Sequence, residues 1–349
     1  MQIEDKLGPT LKDVADAAGV SVTAVSKVLN NRGGVSAASR EKVLRIAEEL
    51  GYRGRSGRPS AAIDRLTVVT LDRYVTNNPF FNEIIEGALD AAGAEGIPTE
   101  VSVVTSASLA DGSVDLWRSP PGAAILVGLD RRDVIDRVCA AGVPAVIVNG
   151  MDRDMRISSV SPDYHFGGWA ATRHLLDLGH RSIAHVTHPH RESLKRRFDG
   201  FRDALEEAGI GFDPAVHLLD VGHPDMISID ARPIIERFLA GPGRGVTALF
   251  CVADIVALGA VRAAESLGLD VPGDLSVVGF DDLAIGAHST PPLTTVRIDR
   301  RDLARIAVQT LIERIAQGRS AVRRINVGVE LVLRESTAPP RESRPDPAA

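Results

Sequence analysis

From Leu66 to about Glu335 the sequence alternates two kinds of segment, and this alternation restricts the fold more than any other feature. Six short apolar runs lack polar alternation: Leu66–Leu71, Ala123–Val127, Ala145–Val148, Ile183–Val186, Ala248–Val252 and Leu275–Phe280. Strands buried on both faces of a parallel sheet read this way. Between and after them lie stretches of helical periodicity: Phe81–Ala94, Arg132–Ala141, Gly167–Leu178, Lys195–Ala208, Ile227–Leu239, Ile255–Leu267 and Arg301–Ala316. Several end in Gly followed by an apolar residue, as in AAGVP and SLGLDVP, because Gly supplies the left-handed position that stops a helix. The pattern predicts doubly wound α/β architecture. A body of roughly 270 residues is large for one open sheet, so two parallel-sheet subdomains are expected.

Ahead of this body the periodicity is helical only. Thr10-Leu-Lys-Asp13 has capping-box form, with Leu11, Val14, Ala15 and Ala18 on one apolar face. Gly19 stops that helix, and Ser21 caps a second helix two residues later, with Val20 as its hydrophobic staple and Val25, Val28 and Leu29 facing in. Ser36 caps a third helix running to about Leu50, with Val43, Leu44, Ile46 and Ala47 inward. Two short helices around a tight Gly turn make a helix-turn-helix. Val22, Thr23, Ser26 and Lys27 are left on the outer face of the second helix, with the size and polarity that suit a major groove.

Charge distribution agrees. The net charge of −6 argues at face value against a nucleic-acid partner, yet residues 1–60 carry ten Lys and Arg against seven acids. A basic head precedes an acidic body. The two cysteines, Cys139 and Cys251, lie in apolar stretches and read as buried thiols of a reducing compartment, without a disulfide framework. The first ten residues lack an apolar core of signal-peptide type, and no run is long enough to span a membrane, so a cytoplasmic protein with no membrane partner is expected. His180, His185, His188 and His190 cluster, but without acids or Cys at ligand spacing, so no metal is expected; no catalytic motif and no cofactor motif occur.

The segments TLKDVADAAGVSVTAVSKVLN and VSAASREKVLRIAEELGY resemble the DNA-binding head of the LacI/GalR (lac-repressor) family of bacterial transcription regulators. PDYHFGGWAATRHLLDLGHRSIAHV, RFDGFRDAL, TALFCVADIVALGAVRA, GLDVPGDLSVVGFDD and PPLTTVRID resemble that family's effector domain, in the same order, so that the likeness spans about residues 9–336. It implies an all-α helix-turn-helix head and a periplasmic-binding-protein-like body of two doubly wound subdomains. It also implies a homodimeric repressor that reads double-stranded operator DNA, sits on the bacterial nucleoid when bound, and is controlled by a small-molecule effector, a sugar or sugar derivative. Alternatives are a purine- or nucleoside-responsive regulator, a sugar-modifying enzyme and a solute-binding protein.

The resemblance implies roles residue by residue. Val22, Thr23 and Lys27 occupy base-reading positions, and Asn30 and Ser39 stand near phosphate; Thr10, Ser21, Ser26 and Ser36 complete the candidate DNA-contacting set on the head. The expected domains are a head over 1–52, a hinge linker over 53–64, an effector-binding and dimerisation body over 65–337 (subdomains 65–161 plus 293–321, and 162–292 plus 322–337), and a disordered tail over 338–349. In the linker, RGRSGRPSAAID, the family's minor-groove wedge leucine corresponds to Ala61, while Gly57 and Pro59 oppose a long helix. Either Ile63 substitutes as the wedge, or Arg53, Arg55 and Arg58 enter the minor groove as cations. Ligands of open α/β sheets bind outside the carboxyl ends of the strands. There the resemblance points to Arg197 and Asp281 as the grip on effector and to Phe81, Arg191 and Ser193 as further pocket positions, while Asn149, His223 and Asp254, which follow strands, complete the candidate effector-binding set. A guanidinium fork donates and a carboxylate accepts, which suits a polyol.

Overall fold

Thr10 opens the first helix as its capping pattern requires. In the computed structural model, which describes residues 10–29, 35–50, 63–76, 78–188, 191–222, 231–318 and 321–341, the Thr10 hydroxyl accepts from the Asp13 amide and the Asp13 carboxylate accepts from the Thr10 amide. These bonds hold the Asp13 carboxyl below its usual range. Gly19, at φ 66°, ends helix α1 (Leu11–Ala18). Ser21 accepts from the Ala24 amide and starts α2 (Val22–Leu29); Ser36 accepts from the Ser39 amide and starts α3 (Ala37–Glu49). The three helices close over Val14, Ala15, Ala18, Val25, Val28, Val43, Ile46 and Ala47, with Val20 packed against them. Leu44, expected inward, is 48% exposed, because the α3 stripe is carried by Val43, Ile46 and Ala47 alone.

The chain divides into two compact units, residues 1–64 with 312–319, and residues 65–311 with 320–349. Within the larger unit, the elements β1 (Leu66–Leu71), α4 (Asp72–Val75), α5 (Pro79–Ala94), β2 (Thr99–Val104), α6 (Ser106–Asp111), β3 (Ala123–Val127), α7 (Arg132–Ala140), β4 (Ala145–Val148) and β5 (Ser158–Pro162) build the first lobe. The second lobe takes α8 (Tyr164–Asp177), β6 (Ile183–Thr187), α9 (Glu192–Glu207), α10 (Pro214–His217), β7 (Leu218–Asp220), α11 (Arg232–Ala240), β8 (Ala248–Cys251), α12 (Asp254–Ser266), β9 (Ser276–Asp281), α13 (Ala284–Ala287) and β10 (Thr294–Arg297). Helix α14 (Arg300–Ala316) and strands β11 (Arg324–Val327) and β12 (Glu330–Val332) complete the fold.

Each lobe holds one six-stranded sheet, ordered β11-β5-β4-β3-β1-β2 in the first and β12-β10-β9-β8-β6-β7 in the second. Every pairing is parallel except β10 with β12. The doubly wound expectation holds. The subdomain boundaries do not: β10, expected in the first subdomain, pairs with β9 at Thr294↔Val278, and β11, expected in the second, pairs with β5 at Ile325↔Val160. The chain therefore crosses between lobes after β5, between β10 and α14, and between β11 and β12. The start of α14 belongs with the first lobe. Gly87 of α5 comes so close to it that a Cβ there would lie 3.0 Å from the Arg301 Cα, and Arg301 pairs with Glu86 and Asp90.

Two further expectations are corrected. Cys139 on α7 is exposed, although Cys251 is buried. The chain past residue 337 is not wholly disordered: the Ala338 carbonyl accepts from Ser276 Oγ, its amide donates back to the same hydroxyl, and Arg341 pairs with Asp274. Residues 342–349 lie outside the described residues.

Candidate functional site

Helix α2 presents its first turn outward. Ser21, Val22, Thr23 and Lys27 are exposed, with Val22 at 47%, while Val25 and Val28 anchor the opposite side in the core. Offsets of one, four and five residues place Val22, Thr23 and Lys27 along one side of the helix. Thr10, Ser21, Ser36 and Ser39 are engaged in capping bonds, the Ser36 hydroxyl also donating to Ser39 at 2.9 Å. The Ser26 side chain, Asn30, Arg53, Arg55, Arg58 and Ala61 lie outside the described residues. Ile63, the substitute wedge, is 3% exposed and so is buried rather than presented.

The larger unit carries a cavity of about 620 Å³ between the lobes, at the carboxyl ends of strands from both sheets. In each sheet the order reverses beside one strand pair, β1/β3 in the first lobe and β6/β8 in the second. Such switch points open a crevice because the connections leave to opposite faces. Residues following these strands meet in the cavity: Asp72 and Tyr74 after β1, Arg191 after β6, and Val252 and Ala253 after β8. Asn149 follows β4, and Asp281 ends β9.

Arg197 forms the floor. It is buried on α9, donates to the Val252 carbonyl, and lies over the Phe280 ring at 3.8 Å and the Tyr164 ring at 4.6 Å. Helices α8 and α9 cross closely enough to set its position, since a Cβ on Gly168 would fall 3.0 Å from the Arg197 carbonyl carbon. The Arg197 Nη2 lies 3.7 Å from Asp281 Oδ1, an ion pair too long to count as a hydrogen bond. Arg197 Nε and Asp281 Oδ1 are both buried without a hydrogen-bond partner among the described residues. Burial raises the Asp281 carboxyl to about 6, against the opposing pull of Arg197 and Arg300.

Asp281 is presented by a pinned turn. Its φ is 111° and that of Asp282 is 53°, both left-handed values that a side chain adopts only when its surroundings enforce them. The Asp282 carboxylate accepts from Arg297 and Arg334, each at 2.6 Å. Arg300 donates to the carbonyls of Asp281 and Asp282. The Leu283 amide donates to Asp254 at 2.7 Å.

Arg191 reaches across the cavity, donating to the Tyr74 hydroxyl at 3.0 Å and the Asn149 carbonyl at 3.1 Å. Tyr74 stacks on Phe81 with ring centres 3.7 Å apart, and Gly128 at φ 65° backs the pair, where a Cβ would meet Tyr74 at 2.7 Å. Tyr164 donates its hydroxyl to Asn149 Oδ1, and burial pushes that hydroxyl up to about 12, so it remains a donor.

The cavity thus gathers Phe81, Asn149, Arg191, Ser193, Arg197 and Asp281 of the expected pocket residues. Asp254 does not line it: the side chain is fully buried beneath the Asp281 turn and accepts from Thr295 Oγ1 at 2.5 Å and from the Leu283 amide. Its position after a strand suggested the cavity, but the first turn of α12 directs it into the core. Burial, then the charge of Asp281, lifts its carboxyl to about 8. His223 lies outside the described residues. The sequence reading missed Tyr74, Asn78 and Ser106; the place of Tyr74 just past β1 was the available signal.

Of the clustered histidines, His180 bonds Thr247, Ser276 and Ala338, and His185 stacks on Phe250, where burial drives its imidazole down to about 3. Among the described residues, no helix is long and apolar enough to cross a membrane.

Residues 10–54 match the model for bacterial regulatory proteins of the lacI family, and residues 172–337 match a periplasmic binding protein-like domain. The chain is 30% identical to the ribose operon repressor of Haemophilus influenzae over 94% of this chain and 98% of that protein. Among solved structures, a transcriptional regulator CelR–cellobiose complex matches at 29% identity and a TM-score of 0.69, covering 94% of this chain and 99% of that one. A lac repressor dimer bound to operator and the anti-inducer ONPF matches at 28% identity and a TM-score of 0.65, covering 95% and 100%. An exposed first turn on a helix-turn-helix, a two-lobed body with a polar cleft, and this likeness over nearly the whole length lead to one conclusion: the chain belongs to the lacI family of bacterial regulatory proteins.

Proposed function

We propose that this chain is a transcriptional repressor that binds operator DNA through its head and releases or grips it according to a neutral polyhydroxylated ligand held between the two lobes. It acts as a cytoplasmic homodimer, each head reading one half of a near-palindromic site, with no enzymatic step. The domains are the head over 1–52, the hinge linker over 53–64 and the effector body from 65 onward. Val22 and Thr23 offer methyl contact to thymine, Thr23 adds one hydroxyl hydrogen bond, and Lys27 reaches guanine or phosphate. Ser21, Ser26, Asn30, Ser39 and the linker arginines Arg53, Arg55 and Arg58 serve the backbone.

One observation carries the ligand assignment. Arg197 Nε is a buried donor and Asp281 Oδ1 a buried acceptor, neither with a partner among the described residues, and both belong to residues that line the same cavity. A buried polar group without a partner costs about 1–3 kcal/mol. A hydroxyl both accepts and donates, so one sugar hydroxyl or a vicinal pair satisfies both atoms together. Asn149, Arg191 and Ser193 supply further polar contacts, and His223 closes the set. The stacked Tyr74 and Phe81 favour a second reading, a planar purine or nucleoside laid on that wall.

A thermal-shift screen of sugars, polyols, nucleosides and purines separates the two, since a ligand that binds only the folded chain raises its melting temperature by mass action. A sugar hit lost in Asp281→Asn supports the first reading. A hit confined to purines overturns it. Operator binding that fails to weaken steeply with salt overturns the DNA-binding role.

A further inference from the structure

We propose that Arg300 is a positioning residue that ties the effector-gripping turn of the second lobe to helix α5 of the first, with Glu83 as its anchor. The proposal rests on the reading of Asp281 as an effector contact.

Arg300 begins α14, immediately after the chain has crossed from β10. Its side chain is only 9% exposed. On one side it donates to the carbonyl of Asp281 and, at 3.5 Å, to that of Asp282. On the other its Nε and Nη2 form a two-pronged pair with the Glu83 carboxylate at 2.8 and 3.1 Å. All these contacts come from one planar guanidinium, whose donors keep a fixed geometry. The turn and the helix are therefore related through one rigid group.

Both carbonyls belong to residues at left-handed φ, 111° and 53°. Non-glycine residues hold such conformations only where surrounding contacts over-determine them. Asp282 is fixed through its carboxylate by Arg297 and Arg334, all within the second lobe. Arg300 is different, because it stands at the start of α14 with the first lobe, as does its counter-ion Glu83 on α5 just past Phe80 and Phe81, which line the cavity, while the carbonyls it holds belong to the second lobe. A relative movement of the lobes that draws Arg300, held by Glu83, away from the turn must release the Asp281 carbonyl or carry the turn with it. Ligand grip and lobe geometry are linked through this residue, and by reciprocity each biases the other. A lysine cannot replace it, having one nitrogen for four contacts.

The test uses the full chain, compared with Arg300→Lys and Glu83→Gln. Hydrogen exchange without ligand is read at the amides of residues 281–284, and affinity is read by calorimetry with cellobiose, ribose and maltose. Losing a hydrogen bond to a charged group costs enough to speed local opening roughly 10-fold or more. Arg300→Lys is expected to give that acceleration at the turn. Glu83→Gln, which touches no turn atom, is expected to give a smaller acceleration at the same amides, while the amides of β8 stay protected in both. Unchanged exchange at 281–284 in both variants overturns the proposal, as does general acceleration that includes β8. If none of the three sugars binds, the exchange experiment still decides the role of Arg300, and it is the effector reading that fails. If one binds, its dissociation constant should rise several-fold in Glu83→Gln, and an unchanged constant beside loosened exchange refutes the link to ligand grip.

Discussion

Asp254 offers a direct test of how this body is built, because replacing it by asparagine should stabilise the protein increasingly as pH rises. The carboxyl is fully buried, accepting from Thr295 Oγ1 and the Leu283 amide, and is raised from 3.8 to about 8 by burial and by Asp281. Its folded value therefore lies above its unfolded one. Between these values the folded chain holds a proton that the unfolded chain has lost, so stability falls as pH rises, by about 1.4 kcal/mol per unit for one proton. From pH 5 to pH 7 the loss amounts to about 2.7 kcal/mol. Asparagine has no proton to lose. Its oxygen can accept from Leu283 and its NH2 can donate to the Thr295 oxygen, so both buried bonds survive.

The measurement is urea unfolding of the parent chain and Asp254→Asn at pH 5, 6 and 7. The stability difference should move in favour of asparagine by about 1.4 kcal/mol at each step, other titrating groups cancelling between the two proteins. In a thermal melt the full span corresponds to about 5 °C or more for a domain of this size. A difference that stays flat over the range refutes the buried, protonated carboxyl. Since Asp254 does not line the cavity, the variant should also keep its ligand response; losing it would return Asp254 to the effector contacts.

Asp281 is also raised, to about 6, so lowering pH through that value protonates the acceptor. Sugar affinity should weaken there by up to about 10-fold per unit, and Asp281→Asn should flatten the profile; calorimetry across pH 5–8 checks both. Gly200→Ala would put a Cβ 2.8 Å from the Trp169 amide nitrogen and closer still to the His165 carbonyl, forcing α8 and α9 apart beneath Arg197. A loss of about 1–3 kcal/mol is expected, read by urea unfolding, together with loss of sugar affinity. On the head, Thr23→Ala should relax base preference at one operator position in a binding series of operator variants, whereas equal weakening on every variant would place Thr23 on the backbone.

Where the sequence was legible, local chemistry decided the structure. The six apolar runs became β1, β3, β4, β6, β8 and β9, the central strands, since a strand covered on both faces must be apolar throughout. The others were hidden for separate reasons. Strand β5 reads Ser-Ser-Val-Ser-Pro, buried throughout yet mostly polar, and only its pairing with β4 and β11 makes it a strand. Strand β2 lies at a sheet edge with Val101 and Val103 exposed, so its pattern resembles a surface segment. The lobe boundaries were misplaced because β10 and β11 are short, and β11 takes its sheet from β5, far back in the chain, while β10 stays with its neighbour β9. In the site, Arg197 and Asp281 were identified through resemblance, whereas the Arg191–Tyr74 bridge links residues 117 apart in sequence. No periodicity announces such a contact.

The turn at Asp281 shows why its strain belongs in a ligand site rather than a core. Two left-handed residues cost roughly 1–3 kcal/mol each. What they achieve is direction: the chain bends at the end of the strand and the carboxylate meets the floor held by Arg197. Arg297, Arg334, Arg300 and Asp254 fix the other polar groups of the turn. The carboxylate oxygen Oδ1 is the buried side-chain acceptor of this turn that has no hydrogen bond among the described residues. A loosely held carboxylate would swing to the guanidinium and close to hydrogen-bond distance, neutralising the site before any ligand arrived. Holding the two at 3.7 Å keeps both groups available and shifts the cost of ordering from the binding step to folding. Pre-organisation of this kind accounts for a buried arginine and a buried carboxylate that face each other without bonding.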